Sequence, residues 1–211
     1  MNLNPTEDVK LIYVGDPMCS WCYGVSNEML EVQKHYEGKI PFELVLGGLR
    51  PYNKQTMVEM KDFLTHHWED VANRSGQKFN YAILDNNVIT YDTEPSCRAT
   101  VVVRSLKPEL TLDFFKAAQR AFYFDNKNLQ EVASYEPILN ELEIDVAEFT
   151  KLFNSDAMKQ AVREDFQLAS DMGVRGFPTL LLQQGDKIEV IVSGYASASS
   201  MIQGIEKKMK K

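Results

Sequence analysis

The chain has 211 residues, with 23 Lys and Arg against 30 Asp and Glu, a formal net charge of −7 and three cysteines. That length can bury a core without disulfide staples, and three cysteines are too few for a cross-linked scaffold. The acidic balance argues against a nucleic-acid or acidic-membrane partner, and the one basic cluster, Lys207, Lys208, Lys210 and Lys211, reads as the solvated end of a helix. The opening residues MNLNPTEDVK carry Glu7 and Asp8 and no apolar stretch, so no secretory leader is expected. No apolar run approaches the roughly 18 residues that a membrane span needs, and the expected location is the cytoplasm.

The first element is a strand, Leu11 to Val14, short and rich in β-formers, broken by the turn Gly15-Asp16-Pro17. From Ser20 to Tyr36 the apolar residues Val25, Met29, Val32 and Tyr36 recur every three to four positions, which predicts one helix. Cys19 and Cys22 therefore fall at its first turn. Unpaired backbone N–H groups and the positive end of the helix dipole favour an anion there, which makes Cys19, the earlier and more open thiol, the nucleophile. Cys22 is one turn deeper on the same side, placed to close a disulfide with Cys19 and release whatever is bound to it.

Two plainer readings use the same residues. Zinc also takes thiolates at this spacing but normally needs a second pair of ligands, and none follows. His35 stands alone, and the adjacent His66 and His67 point about 100° apart on a helix. A purely structural cysteine pair does not call for the strand, turn and helix start that frame these two.

Pro41 to Leu46 is the second strand, stopped by Gly47-Gly48, so the chain opens β-α-β with its cysteines at the carboxyl end of the first strand, where open α/β sheets keep their sites. Helical patterns then dominate: Gln55 to Asn73, Thr93-Glu94-Pro95 through Leu106, Thr111 to Phe124, Leu129 to Leu139, Val146 to Phe153 and Ala157 to Ser170, with a less regular piece from Phe79 to Thr90. Cys97 lies in the second of these and is expected to be an unpaired core thiol. Gly176-Phe177-Pro178-Thr179 leads into the apolar run Leu180 to Leu182. Gln184-Gly185-Asp186 is a hairpin turn with Ile188 to Val192 returning, and Ser197 caps a last helix, Ala198 to Lys210.

This order of elements resembles the DsbA-like thioredoxin-fold superfamily over nearly the whole chain. Within it, three separated stretches, Asp16-Pro17-Met18-Cys19-Ser20-Trp21-Cys22, Asp92-Thr93-Glu94-Pro95-Ser96-Cys97-Arg98-Ala99 and Gly173-Val174-Arg175-Gly176-Phe177-Pro178-Thr179, resemble the FrnE-like protein-disulfide isomerase branch. The resemblance implies an α/β thioredoxin-like fold (β-α-β, then β-β-α) with a large all-helical insertion. Residues 1–52 and 173–211 would form the thioredoxin-like domain and 53–172 the inserted subdomain. It also implies that Phe177-Pro178 is a cis-proline loop facing the cysteines, with Trp21, Tyr23, Phe177 and Thr179 as substrate contacts.

The expected activity is thiol-disulfide exchange with protein or peptide thiols and disulfides through Cys19 and Cys22. No metal and no bound cofactor are expected beyond the redox-active disulfide itself, with glutathione or another thiol reductant as co-substrate. Two alternatives stand beside it. The kappa-class glutathione transferases and hydroxychromene carboxylate isomerases share the fold, and Gly47-Gly48-Leu49 and Asn53 resemble their second-strand loop. This chain departs from them at Cys19, where they usually carry serine, and at Tyr195-Ala196-Ser197-Ala198, where the transferases place an acidic residue. The other alternative is a DsbA-like adaptor or redox sensor without turnover.

Overall fold

The computed structural model describes residues 9–210, so the opening stretch with Glu7 and Asp8, and Lys211, lie outside the described residues. Four strands make one sheet in the order β2-β1-β3-β4. β1 (Val9–Gly15) is central, parallel to β2 (Phe42–Leu46) and antiparallel to β3 (Thr179–Gln184), which pairs in turn with β4 (Lys187–Ser193). A central strand is covered on both faces, and the alternation of β1 follows: Leu11 and Tyr13 enter one apolar cluster, Ile12 and Val14 another.

The crossover from β1 to β2 differs from the single helix expected. It is a five-residue α1 (Ser20–Gly24) followed by α2 (Ser26–Tyr36), broken at Val25. The break coincides with Gly24, a weak helix former on which α3 (Lys61–Ser75) presses: a Cβ on Gly24 would lie 2.7 Å from the Val71 side chain.

α3 also starts later than the periodicity predicts. The backbone of Gln55 to Met57 pairs instead with 89–91, through Met57 N–H to Ile89 O and Tyr91 N–H to Gln55 O. α4 (Glu94–Leu106), α5 (Thr111–Tyr123), α7 (Val146–Phe153) and α8 (Asp156–Asp171) lie where their patterns put them, the last two capped by Asp145 and Ser155. The helix expected over Leu129 to Leu139 does not form. Pro137, which has no N–H and clashes with the preceding turn, allows only a 3-10 turn at Val132–Ser134 and then a short α6 (Glu136–Glu141) that takes the proline into its own first turn. Ser197 caps α9 (Ala198–Met209) by accepting from the Ser200 N–H.

Two large apolar clusters result. One is helical and aromatic, around Trp68, Phe114, Phe122, Tyr123 and Phe149. The other joins the sheet to α2, α4 and α9 through Leu11, Tyr13, Met29, Val101, Leu180 and Met201. Among the described residues no helix is long and apolar enough to cross a membrane.

The outer edge of β2 is closed by side chains. Asp165 of α8 accepts the Leu46 N–H at 2.9 Å and a two-pronged contact from Arg104 of α4 at 2.6 and 2.8 Å, while Arg104 also donates to Leu44 O. Asp165 is largely buried, so removing Arg104 strands a carboxylate in the interior. Arg104→Met should lower unfolding free energy by about 3 kcal/mol, the usual cost of breaking a buried pair from one side, measured by chemical denaturation.

Candidate active site

The site is built from the end of β1. The carboxylate of Asp16 is fully buried and accepts three hydrogen bonds: from Met18 N–H at 2.8 Å, Leu49 N–H at 2.7 Å and the Cys97 thiol at 3.3 Å. Burial holds its carboxyl above the usual carboxylate range, although the bonds from Leu49, Met18 and Cys97 pull the other way. This turn hands the chain to α1 with Cys19 as the capping residue, one position before the helix. The Cys19 sulfur accepts the Cys22 N–H at 3.4 Å.

The cysteines are nearly equal in burial. Cys19 is 4% exposed and Cys22 0%, so the expected open thiol is covered too. Its cover is the loop before β3, where the Phe177–Pro178 peptide is cis and Phe177 O lies 3.6 Å from Cys19 Sγ, placed to accept from the thiol. Burial, and after it the neighbouring Cys19, push the Cys22 thiol well above the ordinary thiol range. Cys97, also free and fully buried, is bonded to Asp16 and raised by burial and then by that carboxylate. Among the described residues no three His, Cys, Asp or Glu side chains gather as a metal site.

Beside the pair runs an open groove of about 420 Å³, lined by Trp21, Arg74, Phe177, Gly194 and Tyr195. The rings of Trp21 and Tyr195 are 6.5 Å apart, and the Arg74 guanidinium lies 5.5 Å from the centre of the Tyr195 ring. Trp21 and Phe177 are thus on the wall of this groove. Two other expected contacts are not. Tyr23 is turned into the helical core, stacked on Tyr123 at 4.8 Å with its hydroxyl donating to Lys78 O. Thr179 is buried, and its hydroxyl donates to Gly176 O. An i, i+2 relation to Trp21 put Tyr23 on the opposite side of α1. Sequence reasoning missed Arg74 and Tyr195, which come from the end of α3 and the loop after β4 and carry no motif.

The family whose sequence profile matches residues 12–203 is described as Thioredoxin. A Nitrosomonas europaea structure described as a candidate protein disulfide isomerase is 32% identical, with a TM-score of 0.89 over 97% of this chain and 98% of that one. The cytosolic disulfide reductase DsbM of Pseudomonas aeruginosa is 20% identical, with a TM-score of 0.79 over 95% of this chain and 98% of DsbM. The ClpXP adapter protein SpxH of Bacillus subtilis is 22% identical over 184 residues, 84% of this chain and 59% of SpxH. The chain spans about three-fifths of the length of the curated relatives it matches.

Phe177 holds its place over Cys19 because Gly47, just past β2, has no side chain: a Cβ there would fall 2.0 Å from the Phe177 ring. Gly47→Ala must push that ring and its loop aside. The expected cost is about 1 to 3 kcal/mol, as for other forced overpacking, together with faster alkylation of Cys19 by iodoacetamide as its cover lifts. Thermal unfolding and mass spectrometry of the labelled Cys19 peptide check the two effects.

Proposed function

The chain belongs to this thioredoxin family, in the DsbA-like thioredoxin-fold superfamily, and on that premise we propose that it is a thiol-disulfide oxidoreductase acting on protein or peptide disulfides. The observation that carries the reading is the placement of two free thiols at the carboxyl end of β1, one capping a helix directly under the Phe177–Pro178 loop and beside an aromatic groove.

The chemistry follows from where the two thiols sit, Cys19 capping the helix under Phe177 and Cys22 within its first turn. Cys19, nearer the groove, attacks one sulfur of a substrate disulfide as its thiolate; the Cys19–S bond forms, the substrate S–S bond breaks, and the first substrate sulfur leaves as a thiolate that takes a proton. Cys22 then loses its proton and attacks Cys19 Sγ, releasing the second substrate thiol and leaving a Cys19–Cys22 disulfide. Two electrons have passed to the substrate. A thiol reductant of the glutathione class returns the pair to the dithiol, and in a reducing cytoplasm the net direction is reduction or reshuffling. Trp21 and Phe177 offer apolar faces to an unfolded segment, and Arg74 one positive charge.

The likeness to an adapter protein supports a second reading, in which the groove holds a protein partner without turnover. On that reading a variant with both Cys19 and Cys22 replaced by serine binds the partner as the wild type does, and neither protein reduces insulin above background.

On the first reading, Cys22→Ser should trap mixed disulfides that non-reducing mass spectrometry detects on Cys19, Cys19→Ser should trap none, and both should reduce insulin only at background rate. The reverse pattern would reassign the nucleophile. Because the Cys22 thiol is raised above its ordinary range, it is protonated at neutral pH, and its thiolate fraction grows about tenfold per unit as pH rises toward that value. Single-turnover resolution should therefore accelerate about tenfold per pH unit above neutrality, and a flat profile would contradict it.

A further inference from the structure

Resolution demands that a thiol buried away from water become an anion, and a buried anion needs donors. Two groups near Cys22 are of the kind that can donate to its anion. One is the backbone amide of Asp16. The other is the phenol of Tyr13, on the strand beneath α1.

Tyr13 is 1% exposed, paired across the sheet with Leu44 on one side and Leu180 on the other. Its ring meets Phe115 edge-on at 5.8 Å and Phe42 at 6.5 Å, so it is fixed by packing. The hydroxyl at its tip is fully buried and makes no hydrogen bond, and Cys22 lies in the same buried cluster. Leaving a buried hydroxyl unpaired is costly, whereas a phenylalanine would fill the same space without that cost. Room for the hydroxyl is kept by Gly15, two positions along the same face of β1, where a Cβ would come within 3.0 Å of the Tyr13 oxygen.

The charged and titratable groups around the pair are Cys19 from α1 and Asp16 from the turn after β1, with Cys97 of α4 reaching only Asp16. None of them is a cation. Hydrogen bonding is therefore what these surroundings offer a Cys22 anion.

We propose that Tyr13 donates a hydrogen bond to the Cys22 thiolate in the step that resolves the mixed disulfide, and that this is why a hydroxyl is retained in an otherwise apolar strand core. The inference rests on the oxidoreductase reading. The donor keeps its own proton throughout: burial, and next the Cys22 thiol, push the Tyr13 phenol well above its ordinary range. The proton that leaves Cys22 is matched by the one taken up by the departing substrate thiolate. In the same step the Cys19–substrate S–S bond breaks and the Cys19–Cys22 bond forms.

The test uses the full chain in its reduced form and the aromatic disulfide 5,5′-dithiobis(2-nitrobenzoate), whose two chromophoric thiolates report the two steps separately. The first release is attack by Cys19, absent in Cys19→Ser; the second is resolution by Cys22, absent in Cys22→Ser. In Tyr13→Phe the first phase should match the wild type. The second should be about tenfold slower at neutral pH, the worth of one hydrogen bond to a charged group, with its rate profile displaced to higher pH. An unchanged second phase at every pH overturns the role of Tyr13 and leaves the oxidoreductase reading intact. A slower second phase with an undisplaced profile also overturns it, because lost packing slows a step without moving its titration. If the wild type shows no first release, the oxidoreductase reading fails and takes this inference with it.

Discussion

The buried carboxylate of Asp16 is the constraint on which the site depends. Its oxygens tie the turn after β1 to the loop after β2 through Leu49 and to α4 through Cys97, and its backbone carbonyl accepts the Cys19 N–H that sets the cap of α1. A carboxylate out of water is costly unless hydrogen bonds replace its hydration, and here two backbone amides and a thiol do so. The consequence is geometric. Three segments far apart in the chain are held at one point, and Cys19 is delivered to a fixed place under the Phe177 carbonyl.

The two cysteines share a helix yet live in different electrostatic surroundings. The Cys19 sulfur receives the Cys22 N–H and lies 3.6 Å from the carbonyl of Phe177, a residue that lines the groove. Cys22 is enclosed beneath it, and burial keeps its thiol neutral. Such a difference suits a pair in which one member must meet outside disulfides and the other must not. Cys97, equally buried, is bonded to Asp16, and burial and that carboxylate keep its thiol neutral.

Elements whose limits are set locally were legible in the sequence. The strands β1 and β2, the hairpin at Gly185, the helix opened by Pro95 and the helices capped by Asp145, Ser155 and Ser197 all rest on apolar period, turn residues and caps within a few positions. Failures occurred where a distant segment decided. Gln55 to Met57 has a helical pattern but finds backbone partners over thirty residues away, and Gly24 yields to pressure from Val71. The proline at 137 was visible and underweighted. In the site, the motif residues Cys19, Cys22, Trp21 and Phe177 come together, whereas Arg74 and Tyr195 reach the groove only through tertiary packing, and Tyr13 reads as one more apolar strand residue until its hydroxyl is found buried without a partner in the cluster that holds Cys22.

The position of α1 explains why so short a helix can be held rigidly. Met18 and Tyr23 belong to the aromatic helical cluster, while Cys19 and Cys22 belong to the cluster on the sheet, so this segment is the seam between two cores. A helix of one and a half turns has little stability of its own. Here each side is anchored by a different packed body: Tyr23 stacks on Tyr123, the Met18 carbonyl accepts the Tyr91 hydroxyl, and the cysteine face rests on Tyr13 and the strand below. The helical residues between β2 and β3 thereby act on the cysteines from behind as well as lining the groove in front through Arg74. Changes in that helical packing would reach the thiols through the orientation of α1 without altering either cysteine.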